Sequence, residues 1–143
     1  MQEITTYLAP RRLDEALHAM ADGDATVFCG GTDLSPQTES GVRQYQAKLL
    51  NLRRIEGLCG IDAGANEIRI GATTTVSEIR ASAALAEIAP VLVEAAERFA
   101  SEQLRNAASI GGNICNASPA GDMIPPLLVL GASVELACVQ GGA

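Results

Sequence analysis

Ala25-Thr26-Val27-Phe28-Cys29-Gly30-Gly31-Thr32-Asp33-Leu34 is the stretch on which the fold turns. Its first five residues have the β-branched and aromatic character of a short buried strand, and they run straight into adjacent glycines. A strand therefore feeds a glycine loop. A second stretch, Ser109-Ile110-Gly111-Gly112-Asn113, has the same outline: a glycine pair followed by a short polar residue. Glycine has no Cβ and tolerates positive φ, so consecutive main-chain N–H groups in such loops can converge on the oxygens of a diphosphate. Thr32, Ser109 and Asn113 can add side-chain donors. Neither loop contains Lys or Arg, so a phosphate bound there is held by dipoles rather than by a cation. Either pair alone is more often a tight turn than a phosphate site. The chain has neither GxxxxGK[ST] nor GxGxxG, which excludes the P-loop and Rossmann explanations of a nucleotide site.

Outward from these loops, Leu13, Ala16, Leu17 and Met20 recur at helical spacing and Gly23 follows as a stop, predicting an amphipathic helix over 11–21. Three apolar pieces at 49–52, 58–61 and 68–70, separated by glycines, read as strands, one pair of them a hairpin. Thr75-Val76-Ser77-Glu78 has the form of a capping box, and Pro90 suits the first position of a helix reaching residue 100. Two helices are thus expected in the middle of the chain, the second carrying Leu92, Ala95, Ala96 and Phe99 on one face. A glycine loop over 109–113, a short helix over 123–130 stopped by Gly131, and a closing strand over 133–139 complete the reading. This alternation points to an α/β or α+β domain with mixed sheets. The last strand has nothing after it to cover it, as in a chain cut short in mid-fold.

The 143 residues are 48% hydrophobic and carry a formal net charge of −7, with no cluster of Lys and Arg. That balance argues against a nucleic-acid backbone or an anionic membrane as the main partner. Cys29, Cys59, Cys115 and Cys138 form no CxxC pair and have no histidine beside them, so no metal centre is expected. Set among aliphatic residues and glycines, they read as small buried apolar residues of a reducing compartment. With no leader and no apolar run of about 18 residues, the chain reads as soluble and cytoplasmic. His18 falls at the edge of the first helix with no acid or nucleophile pattern around it, and Arg11-Arg12 and Arg53-Arg54 read as solvated pairs.

Asn116-Ala117-Ser118-Pro119-Ala120-Gly121-Asp122 ends on a lone carboxylate. Asp122 suits either hydrogen bonds from ribose or ribitol hydroxyls or the capping of the helix that follows. The ordered set of Val27 through Leu34, Ile70-Gly71-Ala72-Thr73-Thr74, Gln103-Leu104-Arg105-Asn106, Ser109 through Asn113, and Ser118 through Asp122 resembles the FAD-binding medium subunit of the xanthine dehydrogenase and carbon monoxide dehydrogenase family, the molybdenum hydroxylases. The likeness covers essentially the whole chain.

The resemblance implies an α+β FAD-binding domain of the vanillyl-alcohol-oxidase (PCMH) type, of two small lobes, 1–58 and 59–143, truncated at the C-terminus. It implies that Val27, Phe28, Cys29, Gly30, Gly31, Thr32, Asp33 and Leu34, with Ser109, Gly111, Gly112 and Asn113, enclose the FAD diphosphate between the lobes. Asp122 would hold sugar hydroxyls, and Phe99 aligns with a position that touches the flavin cofactor. Cys29 replaces a common small residue, Ser109 a common Thr and Asn51 a common Asp, and no needed donor is lost. The family's subunit is roughly twice this length, so its C-terminal domain has no counterpart here.

The resemblance further implies that hydroxylation takes place at molybdopterin on a large partner subunit. Electrons then pass through 2Fe–2S clusters on a small subunit to FAD, and on to NAD, oxygen or a quinone. The chain then needs no catalytic residue or metal of its own, because the flavin performs the redox chemistry. Two other readings stay open at this point: a flavin oxidoreductase of the same fold acting alone, and a non-catalytic fragment that has lost FAD.

Overall fold

The computed structural model describes residues 3–21 and 23–139. Their contacts divide the chain into two units, one made of the described parts of Met1–Glu56 and Ser133–Ala143, the other of Gly57–Ala132.

The first unit is built on strand β1 (Thr6–Leu8), helix α1 (Leu13–Ala21), strand β2 (Ala25–Phe28), helix α2 (Leu34–Glu39) and strand β3 (Lys48–Asn51). The three strands form one parallel sheet in the order β1-β3-β2, with Lys48 opposite both Thr6 and Ala25 and with Phe28 opposite Asn51. Leu50, on the central strand, is fully buried, as expected where a strand has neighbours on both edges. Helix α1 buries Ala16 and is tied to β3 by the ammonium of Lys48, which donates to the Ala19 carbonyl at 3.1 Å. Because all three strands run the same way, the segments that follow them leave from one end of the sheet, the carboxyl end at which open α/β sheets bind ligands. The glycine pair Gly30-Gly31 leaves there.

The second unit opens with an antiparallel hairpin, β4 (Ile61–Ala63) and β5 (Ile68–Ile70), in which Ile61 faces Ile70 and Asp62 faces Arg69. Six helices follow: α3 (Val76–Ala81), α4 (Ala83–Ile88), α5 (Pro90–Arg98), α6 (Glu102–Ala107), α7 (Ile110–Asn116) and α8 (Ile124–Val129). Val76, Ile79, Leu85, Leu92, Ala96, Ile110 and Met123 form its core, and Ile61, Ile68, Ile70 and Phe99 pack against it. The period-2 pattern of the hairpin thus sends its isoleucines inward and Asp62 and Arg69 outward. Helix α3 starts with the complete capping box read from the sequence: Thr75 Oγ1 accepts from the Glu78 amide, and Glu78 Oε2 accepts from the Thr75 amide at 2.7 Å. Thr75→Ala is expected to lower stability by about 1 kcal/mol. A urea midpoint unchanged by the substitution would contradict that role.

The centre of this unit is the run 71–76, irregular up to the start of α3 at Val76 and held on both sides. On one side the amides of Gly71 and Thr73 donate to the Gly60 and Leu58 carbonyls at 2.9 and 2.7 Å. On the other, Val76 donates to Ala108, Ile110 to Thr74 and Gly111 to Ala72, at 2.9–3.0 Å. Thr74, fully buried, adds a reciprocal pair with Gly60: its Oγ1 accepts from the Gly60 amide at 2.9 Å and donates to the Gly60 carbonyl at 3.0 Å. Three chain segments are laced together without a regular sheet.

Four expectations need correction. The strand expected at 58–61 begins only at Ile61, because the Leu58 carbonyl is taken by Thr73 rather than by a strand neighbour. The middle of the chain holds three helices where two were expected, since Ser82 caps a separate helix α4 before Pro90 starts α5. Residues 133–139 form no strand: Val134, Leu136 and Val139 are exposed, and among the described residues nothing pairs with them. Cys59, Cys115 and Cys138 are exposed and Cys29 half-buried, so aliphatic neighbours in sequence did not imply burial. No helix among the described residues is long and apolar enough to cross a membrane.

Candidate functional site

The two glycine pairs prove to be different structures. In the first unit, Cys29 to Asp33 is an open loop between β2 and α2, and Gly31 takes φ +71°, a left-handed conformation that side chains other than glycine adopt at a cost. The Gly31 and Asp33 carbonyls are turned into α2, accepting from the amides of Ser35 and Gln37 at 3.0 and 3.1 Å. Among the described residues, the amides of Gly30, Gly31, Thr32 and Asp33 donate to nothing. Four neighbouring donors without partners form the kind of concavity that takes an anion. Val27 and Asp33 are exposed, and Phe28, Cys29, Gly30, Gly31, Thr32 and Leu34 are half-buried, so the loop is open to a ligand. The Phe28 ring lies tilted against that of Tyr7, centroids 6.5 Å apart, and the Tyr7 hydroxyl accepts from the Asn51 amide group at 2.9 Å. Asn51 in turn uses its Oδ1 to accept from the Arg53 amide.

In the second unit, Gly111-Gly112 is not a loop. Ser109 is the N-cap of α7 and the two glycines form its first turn. Every amide there is engaged: Ile110 and Gly111 donate across to the 71–76 run, Gly112 donates to Ser109 Oγ at 3.2 Å, and Asn113 donates to the Ser109 carbonyl at 3.0 Å. The need for glycine at 111 is therefore steric. A Cβ at Gly111 would lie 2.6 Å from the Ala72 carbonyl oxygen and 2.9 Å from the Ala72 Cβ. What this turn offers a ligand is a side chain. Asn113 Oδ1 is buried and has no hydrogen-bond partner among the described residues. Such an orphan costs about 1–3 kcal/mol unless a ligand or solvent meets it. Gly121 lies beside it, close enough that a Cβ there would stand 3.4 Å from that oxygen.

Asp122 does not cap the following helix: the N-cap of α8 is Met123, with no side-chain bond, and Asp122 is exposed. Its carboxylate is left for another role. The segment before it is set by Ala117, in the left-handed region at φ +48°, and by the Gly121 amide, which donates to the Ser118 carbonyl. Phe99 ends α5, half-buried against the same core as Ile110 and Ile114 of α7. Ala100 follows it with φ +38°, a conformation that costs a residue with a Cβ about 1–2 kcal/mol. The guanidinium of Arg105 bonds the carbonyls of both residues. Arg105 and Thr74 stood within motifs without a role of their own, and Tyr7 lay outside every motif. The strand carrying Tyr7 is only three residues long and gave no periodic signal.

Other polar groups offer less. His18 is exposed, with Nδ1 2.6 Å from the Asp14 carbonyl. The Cys59 thiol is pushed up from its ordinary pKa by partial burial and then by Glu78, whose Oε1 it faces at 3.5 Å, so it stays protonated and is a poor nucleophile. A cavity of about 300 Å³ beside β1 is lined by Leu8, Ala9, Pro10, Glu15 and Ala19, none of them a cation or a hydroxyl donor, which makes it unsuited to a diphosphate.

A family described as the FAD binding domain in molybdopterin dehydrogenase matches residues 2–142. The chain is 32% identical over 137 residues to the 6-hydroxypseudooxynicotine dehydrogenase complex subunit alpha of Paenarthrobacter nicotinovorans, covering 94% of this chain and 46% of that protein. It is 30% identical over 144 residues to the xanthine dehydrogenase FAD-binding subunit of Escherichia coli O157:H7, covering 99% of this chain and 49% of that one. The fold superposes on the solved cyanide-inactivated Cu,Mo-CO dehydrogenase with a TM-score of 0.92 at 30% identity, over 100% of this chain and 50% of that chain. The chain spans about half the length of the curated relatives it matches.

Proposed function

Since this chain belongs to the family of FAD binding domains in molybdopterin dehydrogenases, we propose that it is the FAD-holding part of the flavoprotein subunit of a molybdenum hydroxylase. In this reading it works with a molybdopterin-binding large subunit and a 2Fe–2S small subunit. When bound, the flavin takes electrons from the iron–sulfur clusters and passes them to an external acceptor such as NAD, oxygen or a quinone. The observation that carries the reading is the row of four unengaged amides, Gly30 to Asp33, in a chain whose matched family is defined by FAD binding.

The residues present fit that cofactor. The amides of Gly30, Gly31, Thr32 and Asp33 supply dipoles for the diphosphate, and Val27, Phe28, Cys29 and Leu34 supply the apolar surroundings. In the second unit Asn113 brings a buried oxygen in need of a donor, while Ser109, Gly111 and Gly112 fix the turn that carries it. Phe99 offers an aromatic surface for the flavin. Asp122, free of any capping duty, accepts from sugar hydroxyls.

Gly31→Val puts a β-branched residue at a φ of +71°. The loop then relaxes out of its anion-binding shape, and FAD affinity is expected to fall about tenfold or more. Unchanged affinity would remove this loop from the site. The partner assignment is tested by co-expression with candidate large and small subunits. The expected result is one complex in which reduced iron–sulfur clusters bleach the flavin absorption within a turnover. A chain that stays alone, or a flavin that the clusters never reduce, counts against it.

A further inference from the structure

Helix α5 stops at Arg98, Phe99 leaves it with ψ +115°, Ala100 turns into the left-handed region at φ +38°, and Ser101 caps α6. The backbone that carries the Phe99 ring is therefore a three-residue turn whose middle member is strained, while the ring packs on one side against the core of the unit. The turn has little support of its own, since the Phe99 amide reaches the Ala96 carbonyl only at 3.4 Å. Its main tie comes from α6. Arg105 Nη1 donates to the Phe99 carbonyl at 2.7 Å and to the Ala100 carbonyl at 3.0 Å, the first being short, as charge-assisted bonds are. Arg105 Nε is buried and has no partner among the described residues. A donor left without an acceptor is a cost that a solvated arginine avoids by swinging outward. The side chain stays inside and grips two consecutive carbonyls at the strained residue.

We propose that Arg105 is a positioning residue: by clamping Phe99 and Ala100 it fixes the Phe99 ring in the orientation that receives the flavin. The inference rests on the reading that Phe99 meets FAD, and it assigns the setting of that contact to a residue on a different helix. A guanidinium suits the task because its planar fork is preorganised to span neighbouring acceptors. Lysine presents one compact cation and grips less well, and glutamine has no charge.

The chain contains two phenylalanines, Phe28 and Phe99, so the 143-residue protein labelled with 4-fluorophenylalanine gives one ¹⁹F resonance for each, assigned with Phe28→Leu. In the unsubstituted protein, FAD is expected to move the Phe99 resonance. In Arg105→Gln without FAD, that resonance shifts and broadens while the Phe28 resonance holds its place, and FAD affinity falls about tenfold. Arg105→Lys falls between the two on both readouts, and it replaces Arg105→Gln if the latter does not fold. An ordinary helix cap would lower the melting temperature and leave both the Phe99 resonance and FAD affinity alone. If FAD moves the Phe99 resonance of the unsubstituted protein, yet both readouts stay at their original values in whichever variant folds, the clamp is overturned and the FAD reading stands. If FAD moves neither resonance of the unsubstituted protein, the FAD reading itself fails and the inference falls with it.

Discussion

Gly111→Ala is expected to destabilise the second unit by about 2–3 kcal/mol although it adds a single methyl group. The Cβ would stand 2.6 Å from the Ala72 carbonyl oxygen and 2.9 Å from the Ala72 Cβ. Neither neighbour is the far end of a flexible side chain. The carbonyl is itself bonded to the Gly111 amide at 2.9 Å, so relief of the clash breaks the bond that holds α7 to the 71–76 run. Neighbouring bonds, from Ile110 to Thr74 and from Val76 to Ala108, belong to the same lacing and weaken with it. Against a typical domain stability of about 5–15 kcal/mol, the loss is large. It is read as a shift in the urea midpoint followed by far-ultraviolet circular dichroism. Gly112→Ala is the comparison: its nearest conflict is with the Ser109 hydroxyl at 2.9 Å, which can rotate away with the loss of its cap to the Gly112 amide, about 1 kcal/mol, so the stability cost should be smaller. Equal costs at the two glycines would contradict the steric account.

Thr74→Val is the second substitution expected to cost heavily, about 2–3 kcal/mol, although valine has nearly the same shape. Thr74 is fully buried, and its hydroxyl both accepts from the Gly60 amide and donates to the Gly60 carbonyl. Valine leaves the amide without that acceptor. The carbonyl keeps its bond from the Gly71 amide, which limits the loss. Thr74→Ser retains the hydroxyl and loses only a buried methyl, so it should cost about 1 kcal/mol. The ordering serine milder than valine, in thermal or urea unfolding, is the test. A valine variant as stable as the serine variant would mean that packing, not hydrogen bonding, fixes this junction.

The contrast between the glycine pairs marks the limit of what the sequence disclosed. Gly30-Gly31 was legible as a loop because a strand runs directly into it, and the left-handed φ of Gly31 is what a glycine after a strand suggests. Gly111-Gly112 looked the same in sequence and is a helix turn, because helix propensity was overridden by tertiary contact: the approach of Ala72 demands a residue without a Cβ. The start of α3 was fully legible because a capping box is local, whereas the expected strand over 133–139 failed because a strand exists only with a partner. Short helices α4 and α6, six residues each, fall below the length at which periodicity speaks, though Ser82 and Ser101 mark their caps. Among the candidate site residues, Asn113 was legible as a polar neighbour of the glycines, but its lack of a partner is a property of packing. Arg105 stood in plain view in a motif and gained a role only once its two carbonyl acceptors were located.

The central claim is that this chain takes FAD and recognises it through the diphosphate at Gly30 to Asp33. It is tested most directly by titrating the folded, cofactor-free protein with FAD and with FMN, following flavin fluorescence, and repeating the FAD titration in the presence of ADP. The account predicts saturable binding of FAD, binding of FMN at least about tenfold weaker because it lacks the diphosphate and adenosine, and competition by ADP. FAD and FMN bound with equal affinity, or no FAD uptake by a protein whose circular dichroism shows it folded, would contradict it.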